Sequence, residues 1–125
     1  MGPEESYRRK LAAGQFELQR CGACHKHIFY PRILCPYCGS SDLTWVAASG
    51  EGTVYSTTVT RRKVESGGDF NVAIIELKEG PRLMSRVEGI RADRVKIGLA
   101  VRARIAREQD EVLLVFDPTD GSHVR

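Results

Sequence analysis

CGACHKHIFYPRILCPYCGS, residues 21–40, holds all four cysteines of the chain as two Cys-x-x-Cys pairs ten residues apart. Each pair can form a tight turn that aims two thiolates and nearby backbone N–H groups at one ion, so Cys21, Cys24, Cys35 and Cys38 read as a tetrahedral sulfur site. Four protein ligands leave no position for water or substrate, which marks the site as structural rather than catalytic. A redox dithiol and a pair of disulfides are the competing readings. The first residues, MGPEESYRRKLAAGQ, have no apolar signal core, and no apolar run approaches the roughly 20 residues that span a bilayer. The expected location is the cytoplasm, where thiols stay reduced and clustered cysteines bind metal.

Sulfur geometry alone admits zinc or iron. CPYCG at 35–39 resembles the iron-binding knuckle of rubredoxins, but the first knuckle has His25 where a glycine would follow its second cysteine, and zinc is preferred on that ground. With four sulfurs filling the shell, His25 and His27 are read as solvated or locally bonded histidines. Phe29, Tyr30, Tyr37 and Trp45 supply the aromatic bulk that a ribbon of about 25 residues needs to form any core. Packing between modules is the first reading of these rings, and a docking surface the second.

The rest of the chain reads as strands. At 125 residues, 42% apolar and 28% charged, it has the size and balance of one globular domain or two very small ones. Glu4–Ala13 predicts a short helix, with acidic residues in its first turn, Tyr7 and Leu11 four apart, and Gly14 to end it. Isolated helices shorter than about 12–15 residues are marginal, so this one must pack on something. Phe16–Gln19 alternates as a strand does and leads into Cys21, and Ser49–Gly52 marks a boundary. Beyond it, period-two patterns predict strands at 53–60, 71–77, 82–88, 99–107 and 111–116, with Val101, Ala103 and Ile105 facing a core and Arg102 and Arg104 facing solvent. A Gly-rich loop joins the first two strands and a ten-residue crossover at 89–98 joins the third and fourth, which fits a small barrel of the OB type. The expected fold class is mainly β, with a helix over residues 1–15, a rubredoxin-like zinc ribbon over 16–48, a five-stranded OB barrel over 49–118 and a tail over 119–125.

A ribbon beside a barrel with basic loops suggests nucleic-acid binding as an alternative function. The charge count argues against it. The formal net charge is +3, and four thiolates with one divalent ion lower it by 2, to +1. Residues 51–125 carry 13 basic and 12 acidic groups, where a phosphate-binding domain shows a basic excess. Only Tyr55, Phe70 and Phe116 on the barrel could stack on bases.

The run RCGACHKHIFYPRILCPYCGS, then SGEGTVYSTTVT, VAIIELKEGPRLMSRVEG, KIGLAVRARI and the terminal FDP, together resemble the domain-of-unknown-function-35 family over about residues 5 to 118. The joint motifs are Arg20 before the first cysteine, Pro31-Arg32 between the knuckles, Gly50-x-Gly52 and Gly98 before the fourth strand. One departure is Phe70-Asn71, where relatives often carry a Pro-Tyr or similar pair. The resemblance implies an accessory subunit, not an enzyme by itself, that forms a hetero-oligomer with a thiolase, a hydroxymethylglutaryl-CoA synthase or a thiolase-like aldolase. It also implies that the ribbon and helix dock the partner while the barrel helps to enclose CoA or acyl-CoA. The residues agree with a non-catalytic role: with every cysteine committed to metal, no thiol is left to carry an acyl group, and no histidine lies in a recognisable hydrolase motif. Arg61, Arg62 and Lys63 on the long loop are the candidates for CoA phosphates, with Arg82 and Arg86 behind them. Phe29, Tyr30 and Trp45 are the candidate interface anchors.

Overall fold

The computed structural model describes residues 2–61, 63–66 and 68–119. Helix α1, Pro3–Ala12, places Glu4 and Glu5 in its first turn and Arg9 and Lys10 in its last, as the helix dipole favours. The Arg8–Glu4 pair at 3.3 Å adds only about 0.2–0.5 kcal/mol, so packing is what holds the helix. Leu11 is its buried residue, Lys10 pairs with Glu17 at 3.3 Å, and Arg107 Nη2 donates to the last-turn carbonyl of Ala12 at 3.1 Å.

The ribbon is a three-stranded antiparallel sheet of β1 (Glu17–Cys21), β2 (His27–Ile28) and β3 (Leu43–Ala47) in the order β2-β1-β3. The barrel is a curled sheet of β4 (Glu51–Thr60), β5 (Phe70–Leu77), β6 (Arg82–Ser85), β7 (Ala100–Glu108) and β8 (Glu111–Pro118), ordered β6-β5-β4-β7-β8. The third strand stops at Ser85 rather than running to residue 88. The alternation of Arg86, Val87 and Glu88 looks like more strand, but these residues leave β5 and lie beside β8. Val87 bridges Phe116 in parallel, Phe116 N–H donates to Arg86 O at 3.0 Å, and Glu88 N–H donates to Phe116 O at 2.7 Å. This seam brings the two ends of the sheet together.

Asn71 fastens the seam from inside. It is 4% exposed, donates from Nδ2 to Thr57 Oγ1 at 2.6 Å and Thr58 O at 3.2 Å, and accepts Val87 N–H at 3.1 Å. At the other end of β5, Gly52 must be glycine, because a Cβ there would lie 2.8 Å from Ile75 Cγ2 and 2.9 Å from Glu76 O. The inward positions of β5, Ala73, Ile75 and Leu77, meet Val54, Leu83, Val101 and Phe116 in the barrel core. Leu18 of β1 belongs to the same cluster, with Phe16, Phe29 and Ala48 packed against it, so the base of the ribbon joins the barrel core. Among the described residues no helix is long and apolar enough to cross a membrane.

Candidate functional site

The four cysteine sulfurs all lie within 4.8 Å of one another, a group that could hold a metal ion. The two knuckles are built alike. Cys21 N–H bonds Lys26 O at 3.0 Å and His25 N–H bonds Cys21 O at 2.8 Å; in the second knuckle Cys35 N–H bonds Ser40 O and Gly39 N–H bonds Cys35 O, both at 2.8 Å. Backbone donors then point at sulfur: Ala23 and Cys24 N–H reach Cys21 Sγ at 3.3 and 3.4 Å, and Tyr37 N–H reaches Cys35 Sγ at 3.4 Å. The glycine missing from the first knuckle does not alter the turn. His25 takes the left-handed backbone, φ 67°, that Gly39 takes at φ 81° in the second, and its Nδ1 accepts from Arg20 Nη2 at 3.2 Å.

These contacts set the protonation of the thiols. The N–H of Cys24 is the largest influence on Cys21 and holds its thiol down, to about 6. Burial works against the Cys35 thiolate, but the N–H groups of Tyr37 and Cys38 outweigh it and the pKa is lowered. At Cys38 the N–H of Ser40 favours the thiolate, yet the sulfur of Cys21 and burial prevail and push the thiol up to about 12. The Cys21 and Cys38 sulfurs lie 3.5 Å apart, so the pair shares a proton that a cation would displace. Soft sulfur donors, crowded together and stabilised as thiolates, suit zinc or iron, and the closed set suits a structural ion.

Gln19 was not legible as a site residue. It is 5% exposed and uses both ends of its amide on one residue, donating to Arg32 O at 2.9 Å and accepting Arg32 N–H at 2.7 Å. That pins the segment between the knuckles to β1, leaving Tyr30, Ile33 and Leu34 exposed on a fixed loop. Two expected anchors are placed differently. Phe29 lies inside an aromatic cluster, with ring centroids 5.6 Å from Tyr7, 6.5 Å from Phe16 and 4.8 Å from Tyr30. Burial there pushes the Tyr7 hydroxyl up to about 12, with the Tyr30 hydroxyl adding to it. Trp45 is half-buried under Lys10 Nζ, 5.6 Å from its ring centroid. Tyr30 and Tyr37 are the exposed members of the set.

The described cations among those expected to meet phosphate are spread over the long loop and the two ends of the β5–β6 pair. Arg61 pairs with Asp69 at 2.6 Å, Lys63 is exposed on the same loop, and Arg62 lies outside the described residues. Arg82 is at the far end of the β5–β6 pair, bonded to Glu76 at 3.2 Å and stacked on Tyr55 with its guanidinium carbon 3.8 Å from the ring centroid. Arg86 pairs with Glu88 at 2.6 Å and with Glu108, and Glu88 also holds Arg104, which pairs with Asp117. Those two carboxylates hold the Arg104 guanidinium above its ordinary pKa, Asp117 the more strongly. Of the four described candidates, Arg61, Arg82 and Arg86 are each paired with a carboxylate.

Residues 8–44 match the family model of the ChsH2 rubredoxin-like zinc ribbon domain, and residues 45–106 match that of the ChsH2 C-terminal OB-fold domain. Over 104 residues the chain is 40% identical to a probable enoyl-CoA hydratase alpha subunit of Thermomonospora curvata, covering 81% of this chain and 33% of that relative. The chain thus spans about a third of that protein's length. It is 31% identical over 102 residues to a DUF35 domain-containing scaffold protein of Pyrococcus furiosus, covering 76% of this chain and 75% of the other. Among solved structures it is similar to a chain of an Ltp2-ChsH2(DUF35) aldolase, with a TM-score of 0.82, 31% identity, and coverage of 94% of this chain and 95% of that one. Ribbon, barrel and the order in which the chain joins them all agree, and the chain belongs to the DUF35 family.

Proposed function

We propose that the chain is a non-catalytic accessory subunit of a thiolase-type acyl-CoA enzyme, assembled with its partner in the cytoplasm as a hetero-oligomer. The observation that carries this reading is the likeness of ribbon and barrel together, over 94% of the chain, to a chain of an Ltp2-ChsH2 aldolase. Cys21, Cys24, Cys35 and Cys38 hold one zinc ion, which when bound supplies shape and no chemistry. Residues 1–15 and 16–48 face the partner, with Tyr30, Ile33 and Leu34 as anchors on the loop that Gln19 fixes, because exposed aromatic and aliphatic groups on a rigid support gain most from burial. Residues 49–118 lie over the partner's CoA groove, where Arg61, Arg62 and Lys63 meet phosphate, and residues 119–125 have no assigned part. The pairing of Arg82, Arg86 and Arg104 with carboxylates supports this role over nucleic-acid binding, since paired cations release few counterions.

The test is recovery of a tagged copy from its native cells, followed by thiolysis and condensation assays of the recovered enzyme with and without this chain. An acyl-CoA enzyme should co-purify and lose activity or stability when the chain is removed. Arg61→Glu should raise KM for acyl-CoA while the complex stays assembled. Recovery without such an enzyme, or a partner equally active alone, would remove the reading.

A further inference from the structure

Strand β4 is paired unequally on its two edges. One edge pairs with β5 from Gly52 to Thr60; the other pairs with β7 only from Glu51 to Thr53 and ends where Val54 exchanges hydrogen bonds with Gly98 and Leu99. A bulge at Tyr55 follows. Asn71 Nδ2 reaches Thr58 O, which puts that carbonyl on the β5 side. Backbone groups alternate sides along a strand, so the N–H and C=O of Thr57 and Val59 project from the open edge. No described residue outside the strands is hydrogen-bonded to them there. The run Tyr55-Ser56-Thr57-Thr58-Val59-Thr60 carries no charge and no proline, the usual guards of an open edge, and it is rich in residues that favour strands.

We propose that two copies of this chain pair through this edge, antiparallel and centred on Thr58, joining β6-β5-β4 of each into one continuous sheet. This assignment is independent of the role proposed above. In that register Thr57 of each copy exchanges two hydrogen bonds with Val59 of the other, satisfying the N–H and C=O that both residues project from the edge. The side chains suit a self-pair: Thr58 meets Thr58, and Arg61, the first charge beyond the run, falls opposite Tyr55 rather than another arginine. The register also carries the 61–69 loop of each copy toward the Gly98 corner of the other. Val64, 89% exposed, and Ile97, 71% exposed, sit on those two features and can cover each other.

Such an interface is small, so the dimer should form in the micromolar range rather than below it. Sedimentation of the zinc-loaded chain alone, from about 5 to about 500 µM, should show a reversible monomer–dimer equilibrium. Amide exchange at Thr57 and Val59 should slow with concentration while that at Thr58 does not change. Thr58→Lys opposes two ammonium groups across the axis and should weaken the dimer at least about five-fold, while Thr58→Val preserves it. Thr58 is exposed, so zinc content and circular dichroism of the lysine variant should match the parent. A chain that stays monomeric throughout, as it would if the edge awaited a different protein's strand, overturns the proposal. So does a dimer that Thr58→Lys leaves intact, or one that forms without slowing exchange at Thr57 and Val59.

Discussion

The two ends of strand β1 belong to different cores. Leu18 sits with Val54, Ile75, Leu77, Val101 and Phe116 in a cluster that fills the barrel, whereas Cys21, three positions on, sits with Ile28 and Cys35 in a cluster completed by Cys24 and Leu43. The first is a set of hydrocarbon side chains large enough to exclude water unaided. The second has only Ile28 and Leu43 as hydrocarbon and depends on sulfur for the rest. One strand therefore crosses from a region held by burial to a region that a metal must hold, and the crossing falls between Leu18 and Cys21.

Removing the ion is the strongest way to break this contrast. The parent should carry about one zinc per chain, because the four thiolates form one closed site. After chelation, or in Cys35→Ala, amide exchange should become fast across residues 21–40, while Val54, Ile75, Val101 and Phe116 stay protected. Acid should do the same more gently. Binding needs four thiolates; Cys21, lowered to about 6, is ionised at neutral pH, but Cys38, raised to about 12, must give up its proton. Zinc uptake should therefore release protons across the window between those values, and affinity should fall as pH falls, about ten-fold per pH unit for each proton released. Titration calorimetry in buffers of different ionisation enthalpy reads this directly. Barrel amides that open together with the ribbon would show that the two cores are one cooperative unit.

Leu18→Ala attacks the barrel core from the ribbon side. A fully buried leucine truncated in a packed core costs about 2–5 kcal/mol, measurable by chemical denaturation. Zinc content should be unchanged, since the knuckle hydrogen bonds begin at Cys21. Loss of zinc in this variant would move the crossing point toward the N-terminus of β1.

Sequence exposed the parts of the molecule whose logic is local. The cysteine spacing, the alternation that turns Val101 and Ala103 inward along β7, and the crossover before β7 were all legible, and they carry the fold. What could not be read depends on residues distant in the chain. Gln19 alternates with Leu18 and looks solvent-facing, and Asn71 is a polar residue on the inward face of β5; each is buried because a segment 13 to 16 residues away folds onto its amide. A signal was present at Gln19, where a polar residue precedes a cysteine knuckle and interrupts no strand, but its partner Arg32 is named only by the fold. The adjacent cations at Arg61 and Lys63 form a patch in sequence, but Asp69 returns to Arg61. Arg82 and Arg86 share a face of a strand pattern and end up with separate carboxylates.

The smallest effect lies within the ribbon, between its two knuckles. Both turns need a left-handed residue after the second cysteine; Gly39 adopts it freely and His25 against steric resistance, at φ 67°. Gly39→Ala should lower the stability of the zinc-loaded ribbon by about 1–2 kcal/mol. His25→Gly should raise it by about 1 kcal/mol or less, because relief at the left-handed position is partly offset by the greater freedom of glycine in the unfolded chain and by loss of the Arg20 contact. Competition with a metallochromic chelator ranks the three proteins, with His25→Gly retaining zinc most tightly and Gly39→Ala least. If His25→Gly instead bound zinc more weakly than the parent, the hydrogen bond from Arg20 would outweigh the strain, and the first knuckle would be held by its side chains where the second is held by its backbone.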